Sequence, residues 1–124
     1  MPTGMERDYA DLLEGKYMLD ASDTPVVATD WMMWLHWMCD EAPTWTTEIR
    51  PSGIRVRTYF CGERNEDGTF YTTRVSGGRY NGRSANAASR DDAHAQHDRV
   101  VAWLCTKLTG TVVPVPKKPS PPRC

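Results

Sequence analysis

Two histidine-containing spacings and one arginine-rich strand are where residue type and position in this chain suit chemistry. His36-x-x-Cys39 and His94-x-x-His97 each set two nitrogen or sulfur donors one helical turn apart, and four such donors would suit a tetrahedral zinc ion. Both pairs lie in apolar helical patterns, however, and the chain has no Cys-x-x-Cys. The reading is histidines that pack and hydrogen-bond, with no metal and no cofactor. His97 falls on the apolar stripe of its helix, placed to bond a strand carbonyl or Thr73 and so fix helix to sheet. No nucleophile or positioned acid stands in a recognisable pattern beside it. A structural role therefore outweighs a catalytic one, and no catalytic residue is assigned. Arg55, Arg57 and Tyr59 share one strand face, and Arg74 lies on the next strand. Such an Arg–aromatic surface suits a phosphate-bearing small molecule or an acidic protein patch. Its plainer alternative is a solvated outer face paired with the acidic N-terminal segment.

These residues need elements to position them, and the clearest is a helix over residues 89–108. Ser89 suits the N-cap, and Asp91 and Asp92 put negative charge where the first-turn N–H groups are free. Ala93, His97, Val100, Val101, Leu104, Cys105 and Leu108 recur at helical spacing as one apolar stripe, and Gly110 ends the helix. A helix of this kind needs a sheet to lie on. Trp45–Arg50 and Ile54–Cys61 read as a hairpin around Pro51-Ser52-Gly53. Ile54, Val56, Thr58 and Phe60 alternate with Arg55, Arg57, Tyr59 and Cys61, so one face meets a core. Asn65 to Gly68 is a turn, Thr69–Val75 a further strand, and the glycines at 77, 78 and 82 open a flexible loop to Asn86. Upstream, Lys16–Leu19 and Val26–Ala28 read as short extended pieces joined by turn chemistry, and Arg7–Leu13 as a helical turn. Val112 to Cys124 is proline-rich and reads as extended and unpacked. Within it Pro116-Lys117-Lys118-Pro119 has the form of a proline recognition motif.

Residues 29–43 pose a different problem. Thr29 or Asp30 caps a helix that Pro43 stops. Trp31, Trp34, Leu35 and Met38 form one face, Met32, His36 and Cys39 flank it, and Met33 and Trp37 point the other way. A helix apolar on all sides must be covered on all sides. A domain this small covers one face, so the second calls for another chain. The alternative is a helix wrapped by its own N-terminal segment and tail.

Charge and composition narrow the classes of function. Residues 1–43 carry nine acidic and two basic side chains, net −7, while 44–83 and 84–124 are each net +3. Opposed halves suit self-association better than nucleic-acid binding. No apolar run is long enough to span a bilayer and no secretory signal is visible, so the four cysteines are expected reduced, in a cytoplasm. The order helix, three strands, helix resembles that of double-stranded-RNA-binding domains. Those domains begin the last helix with cations, whereas this chain reads Arg90-Asp91-Asp92. Acids at that position argue against duplex nucleic acid.

A resemblance covering residues 16 to 108 is closer. Lys16-Tyr-Met-Leu-Asp20, Thr24-Pro-Val-Val27 and the Trp-rich helix resemble the opening of a family of small uncharacterised phage and prophage proteins. Val56, Thr58, Phe60 and Gly62 match a strand of that family, Thr73, Val75, Gly77 and Gly78 match the next, and Arg83, Asp92-Ala93 and His97 match its last helix. Glu63-Arg64-Asn65 and Thr72 depart from it, standing where the family has Asp-His and an acid. The resemblance implies a phage or prophage origin and a fold, and no established reaction.

The expectation is therefore an α+β protein. Three to five antiparallel strands carry two helices in a domain over 1–110, followed by a proline-rich tail over 111–124. Its work is expected to be non-catalytic binding of a host or phage protein, as a homodimer through Met33, Trp37, Trp34 and Trp31. The alternatives are capture of a nucleotide-like ligand by Arg55, Arg57, Tyr59 and Arg74, and an enzyme using His97.

Overall fold

The computed structural model describes residues 15–108 and 110–115. They fall into two compact units, one of residues 15–42 with 62–64 and the other of 43–61 with 65–115. The sequence reading places a single domain over 1–110. The expected helical turn at Arg7–Leu13 and the tail from residue 116 lie outside the described residues.

In the first unit, β1 (Tyr17–Leu19) pairs antiparallel with β2 (Pro25–Val27). Asp20 builds the connecting turn, its carboxylate accepting the amides of Ser22 and Thr24 at 2.8 and 3.0 Å. Helix α1 (Trp31–Asp40) follows, and the Asp30 side chain caps it by accepting the Met33 amide at 2.8 Å. The Trp34 indole donates to the Tyr17 carbonyl at 3.0 Å, holding the helix to its own hairpin, and its ring tilts against Trp31. Residues 62–64 run alongside. The Tyr17 amide donates to the Gly62 carbonyl, and Lys16 pairs with Glu63.

The second unit is a five-stranded antiparallel sheet in the order β6-β5-β4-β3-β7. Its strands are β3 (Thr44–Arg50), β4 (Ile54–Phe60), β5 (Tyr71–Ser76), β6 (Ser84–Ala87) and β7 (Thr111–Val115). Ile54, Val56, Thr58 and Phe60 of β4 are buried and Arg55 and Arg57 exposed, because α2 (Arg90–Lys107) covers only one face. The core gathers Ile49, Ile54, Val56 and Val75 from the sheet and Leu104 from α2. β3 to β6 form a meander. α2 then carries the chain from the β6 edge to the opposite edge, where β7 pairs with β3. Eighteen helical residues reach about 27 Å, enough to cross four inter-strand spacings of about 4.8 Å each.

Three expectations need correction. The loop expected to run to Asn86 contains a 3-10 turn at Gly78–Tyr80 and then β6, which pairs along β5 from Arg74↔Ser84 to Tyr71↔Ala87. Residues 111–115, expected as the unpacked start of the tail, are an edge strand. Pro114 is tolerated there because an edge strand has a side that needs no donor. Cys105, expected on the buried stripe, is exposed, and only Ala93, His97 and Leu104 of α2 are fully buried.

Gly62 has φ +72, and a Cβ there would stand 2.7 Å from the Met38 sulfur and 3.0 Å from the Trp34 ring. Gly68 has a similar φ of +84 with nothing within 4 Å. Gly62→Ala should therefore lose about 1 kcal/mol more than Gly68→Ala, which suffers backbone strain alone. Urea unfolding of both variants measures the gap, and equal losses would mean that Met38 and Trp34 give way freely.

Candidate functional site

Three groups of side chains were placed by sequence, and the structure treats them differently. His97 is 3% exposed, and both of its ring nitrogens are engaged. Thr47 of β3 stands 2.8 Å from Nε2, and Thr58 of β4 stands 2.8 Å from Nδ1. Thr58 continues to Thr73 at 2.7 Å, Thr73 donates to Gln96 Oε1 at 3.2 Å, and Gln96 Nε2 donates to the Asn86 carbonyl at 3.0 Å. Direction along this relay is fixed from its far end. Gln96 offers an acceptor to Thr73, so the Thr73 oxygen must accept from Thr58, and the Thr58 oxygen from His97 Nδ1–H. The neutral ring thus donates at Nδ1 and accepts the Thr47 hydroxyl at Nε2. Burial disfavours the charged imidazole and lowers its pKa. The nearby Asp98 pulls the other way, and His94 adds to the lowering. The expected bond to a strand carbonyl or directly to Thr73 is replaced by bonds to Thr47 and Thr58, with Thr73 one step further on. This is a clamp of helix to sheet.

The other proposed donors are spent elsewhere. His94 stacks face to face on Trp45, ring centroids 4.0 Å apart. Cys39 is disulfide-bonded, which corrects the expectation of uniformly reduced cysteines, while Cys61 and Cys105 are free thiols. Among the described residues no cluster of three or more His, Cys, Asp or Glu is poised for a metal ion. Nor is any helix of those residues long and apolar enough to cross a membrane.

The arginine group lies on the sheet face away from α2. Arg55 pairs with Glu48 at 3.2 Å, and Glu48 also takes Arg50 at 2.6 Å. Hydrogen bonds from Arg50 and then Arg55 hold the Glu48 carboxyl below its ordinary range. Arg57 and Arg74 are directly opposed across β4 and β5. Arg57 covers the Tyr59 ring and bonds the Thr44 hydroxyl at 3.4 Å. Among the described residues, neither Arg57 nor Arg74 is bridged to a carboxylate. Of the four expected ligand residues, then, Arg55 is neutralised, while the exposed Arg57 and Arg74 form a cationic strip with the half-buried Tyr59.

Beside that strip runs a polar network that sequence reasoning missed. The Cys61 sulfur lies 3.1 Å from the Thr72 hydroxyl, which donates to Asn86 Oδ1 at 3.0 Å, and Asn86 Nδ2 donates to Asp67 at 3.2 Å. Asp67 is held below its ordinary range by the Thr69 hydroxyl and amide. Asn65 donates to Thr69 at 3.0 Å and approaches Cys61 at 3.8 Å. Thr72 and Asn65, where the chain departs from the pattern it resembles, thus meet at one sulfur.

In the first unit, α1 has no fully buried residue. Met32 is 54% and Met33 59% exposed, and with Met18, His36, Trp37, Asp40 and Glu41 they line an open groove of about 500 Å3. Of the four expected partner-binding residues, Met33 and Trp37 reach this groove, while Trp34 is turned to the hairpin and Trp31 packs against the Trp34 ring. No protein-family model, curated protein or solved structure matches the chain.

Two outcomes follow from this geometry. The folded pKa of His97 lies below the ordinary 6.5, so its contribution is complete above that value and is lost as pH falls through it. Glu48 and Asp67, with ordinary values of 4.5 and 3.8 and lowered in the fold, lose theirs only at more acid pH. Urea unfolding from about pH 7 to about pH 5 should show falling stability in the wild type and a flatter profile in His97→Gln. Equal slopes would mean that His97 is not the titrating group. Separately, Arg74→Thr should raise the melting temperature at low salt by roughly 1 to 4 °C by removing the like-charge pair. Added salt should close the gap, and a destabilised variant would show that something else balances the two charges.

Proposed function

We propose that this chain is a small phage-type protein that works by binding rather than catalysis, and that it pairs with a second copy of itself through α1. The observation carrying this reading is a ten-residue helix, eight of whose residues are Trp, Met, Leu or Cys, with none fully buried. An apolar groove of this kind is what contact surfaces are made from, Met and Trp being enriched in them. Charge names the occupant. The groove is rimmed by Asp40 and Glu41 within a segment of net −7, and the remainder of the same chain is net positive with Arg57 and Arg74 exposed. A second copy therefore offers both apolar and complementary charged surface. The phage or prophage origin is supported by the ordered resemblance over residues 16 to 108. A host or phage protein is the further partner such an origin suggests. A cytoplasmic setting is supported by the free thiols of Cys61 and Cys105 and opposed by the Cys39 disulfide.

One observation favours a second reading. Two arginines placed directly opposite each other repel unless an anion sits between them. Arg57 and Arg74, with Tyr59 beside them for stacking, would suit a nucleotide-like ligand.

Light scattering separates the two readings. Self-association predicts a dimer that Trp37→Glu and Met33→Glu each convert to monomer, with folding intact because neither side chain is fully buried. A wild type that stays monomeric at its highest soluble concentration removes the first reading. Calorimetric nucleotide binding lost in Arg57→Ala would then install the second.

A further inference from the structure

Where α2 passes over the β6 edge of the sheet, the core is not filled. β6 is Ser84-Ala85-Asn86-Ala87, four small residues, and the helix sets Val100 above them. Between lies a cavity of about 180 Å3, lined by Thr73, Val75, Ser84, Ala85, Val100, Trp103 and Arg83. Its inner wall is apolar in effect. Of the two hydroxyl-bearing residues there, Ser84 stands opposite Arg74 and so shares the sheet face away from α2, while Thr73 already donates to Gln96 and accepts from Thr58 and has nothing strong left to offer.

The mouth is the opposite. Trp103 packs edge-on against Tyr80, centroids 4.9 Å apart, and the Arg83 guanidinium sits 5.3 Å from each ring. Lys107 approaches the Trp103 ring at 5.8 Å, and Arg79 approaches Tyr80 at the same distance. Three cations thus gather on two fixed aromatic rings, and among the described residues none of them is bridged to a carboxylate. Trp103 is still 37% exposed, so the mouth opens to solvent.

We infer that this cavity binds a small carboxylate whose apolar body is about the size of one six-membered ring. A dry apolar cavity of about 150 Å3 accepts benzene, so the volume sets the body. The wall excludes polar substituents, since nothing inside would pair with them. Arg83 at the mouth takes the carboxylate, in the bidentate way guanidinium allows, while Tyr80 and Trp103 hold its plane. The site is separate from the Arg57–Arg74 strip, which lies on the other face of the sheet.

Benzoate is the probe, with benzyl alcohol and benzylammonium as the neutral and cationic forms of the same body. Titrated into the full chain and followed by NMR, benzoate should shift the methyls of Val75, Ala85 and Val100 and the Trp103 indole in one saturable process. Benzyl alcohol should bind at least tenfold more weakly and benzylammonium not at all, and Arg83→Gln should weaken benzoate by about tenfold or more. Ala85→Leu should fill the cavity and abolish the shifts. If that edge-strand variant does not fold, Val100→Phe fills the same space from the helix. The inference fails if benzoate gives no saturable shift. It also fails if all three probes bind alike, or if a folded cavity-filling variant binds benzoate as the wild type does.

Discussion

His97 donates from Nδ1 to Thr58 and accepts the Thr47 hydroxyl at Nε2, on adjacent strands, and this is what locates α2 on the sheet. Apolar packing is non-directional, and the stripe of Ala93, Val100, Val101 and Leu104 would hold the helix almost as well one turn along. The relay from Thr47 through His97, Thr58, Thr73 and Gln96 to Asn86 admits no such slip. It touches β3, β4, β5 and β6 as well as α2, so one chain of hydrogen bonds records the register of four strands and a helix. Placing three polar side chains at the centre of so small a core is tolerable only because every member finds its partner. Around it Val56, Val75 and Ala93 are buried together with Thr58, Thr73 and His97.

The uncovered face of the sheet shows the converse. Glu48 serves two arginines, and with that carboxylate committed, Arg57 and Arg74 face each other uncompensated. The negative charge that would balance them is concentrated instead in residues 1–43. Beyond the two arginines that Glu48 takes, charge in this molecule is segregated along the chain rather than paired within the sheet.

How much of this was legible depended on how the information is carried. The 54–60 alternation and the 90–107 helix are written in side-chain periodicity, and both read directly. β6 is not, because Ser-Ala-Asn-Ala has no β-branched or aromatic residue, and its strand conformation comes from backbone pairing along β5. β7 is masked by Pro114, which signals polyproline until the edge position is known. Cys105 shows the apolar stripe drawn too wide, since the helix covers the sheet with a narrower strip than its composition suggests. At the site level, Arg57 and Arg74 were readable as strand neighbours, but their direct opposition requires the register. The cluster of Tyr80, Arg83 and Trp103 was unreadable, because only the return of α2 over β6 brings residue 103 beside residue 83.

The first unit sets a limit that bears on what α1 can be for. Two three-residue strands and a ten-residue helix are each below the length that stands alone in water. Among the described residues, the unit fully buries only Ala28, Ala42 and Gly62, which together remove little apolar surface. What ties it down is specific rather than extensive: the Asp30 cap, the Trp34 indole on the Tyr17 carbonyl, and the strand-like contact of residues 16 and 17 with 62 and 63. Much of its apolar surface is thus still outside, in Met32, Met33, Leu35, Val26 and Val27. Covering that surface would supply to the unit the burial its own residues do not, so docking and ordering of α1 draw on the same free energy. A helix arranged in this way would gain from a covered face what most helices gain from their own core.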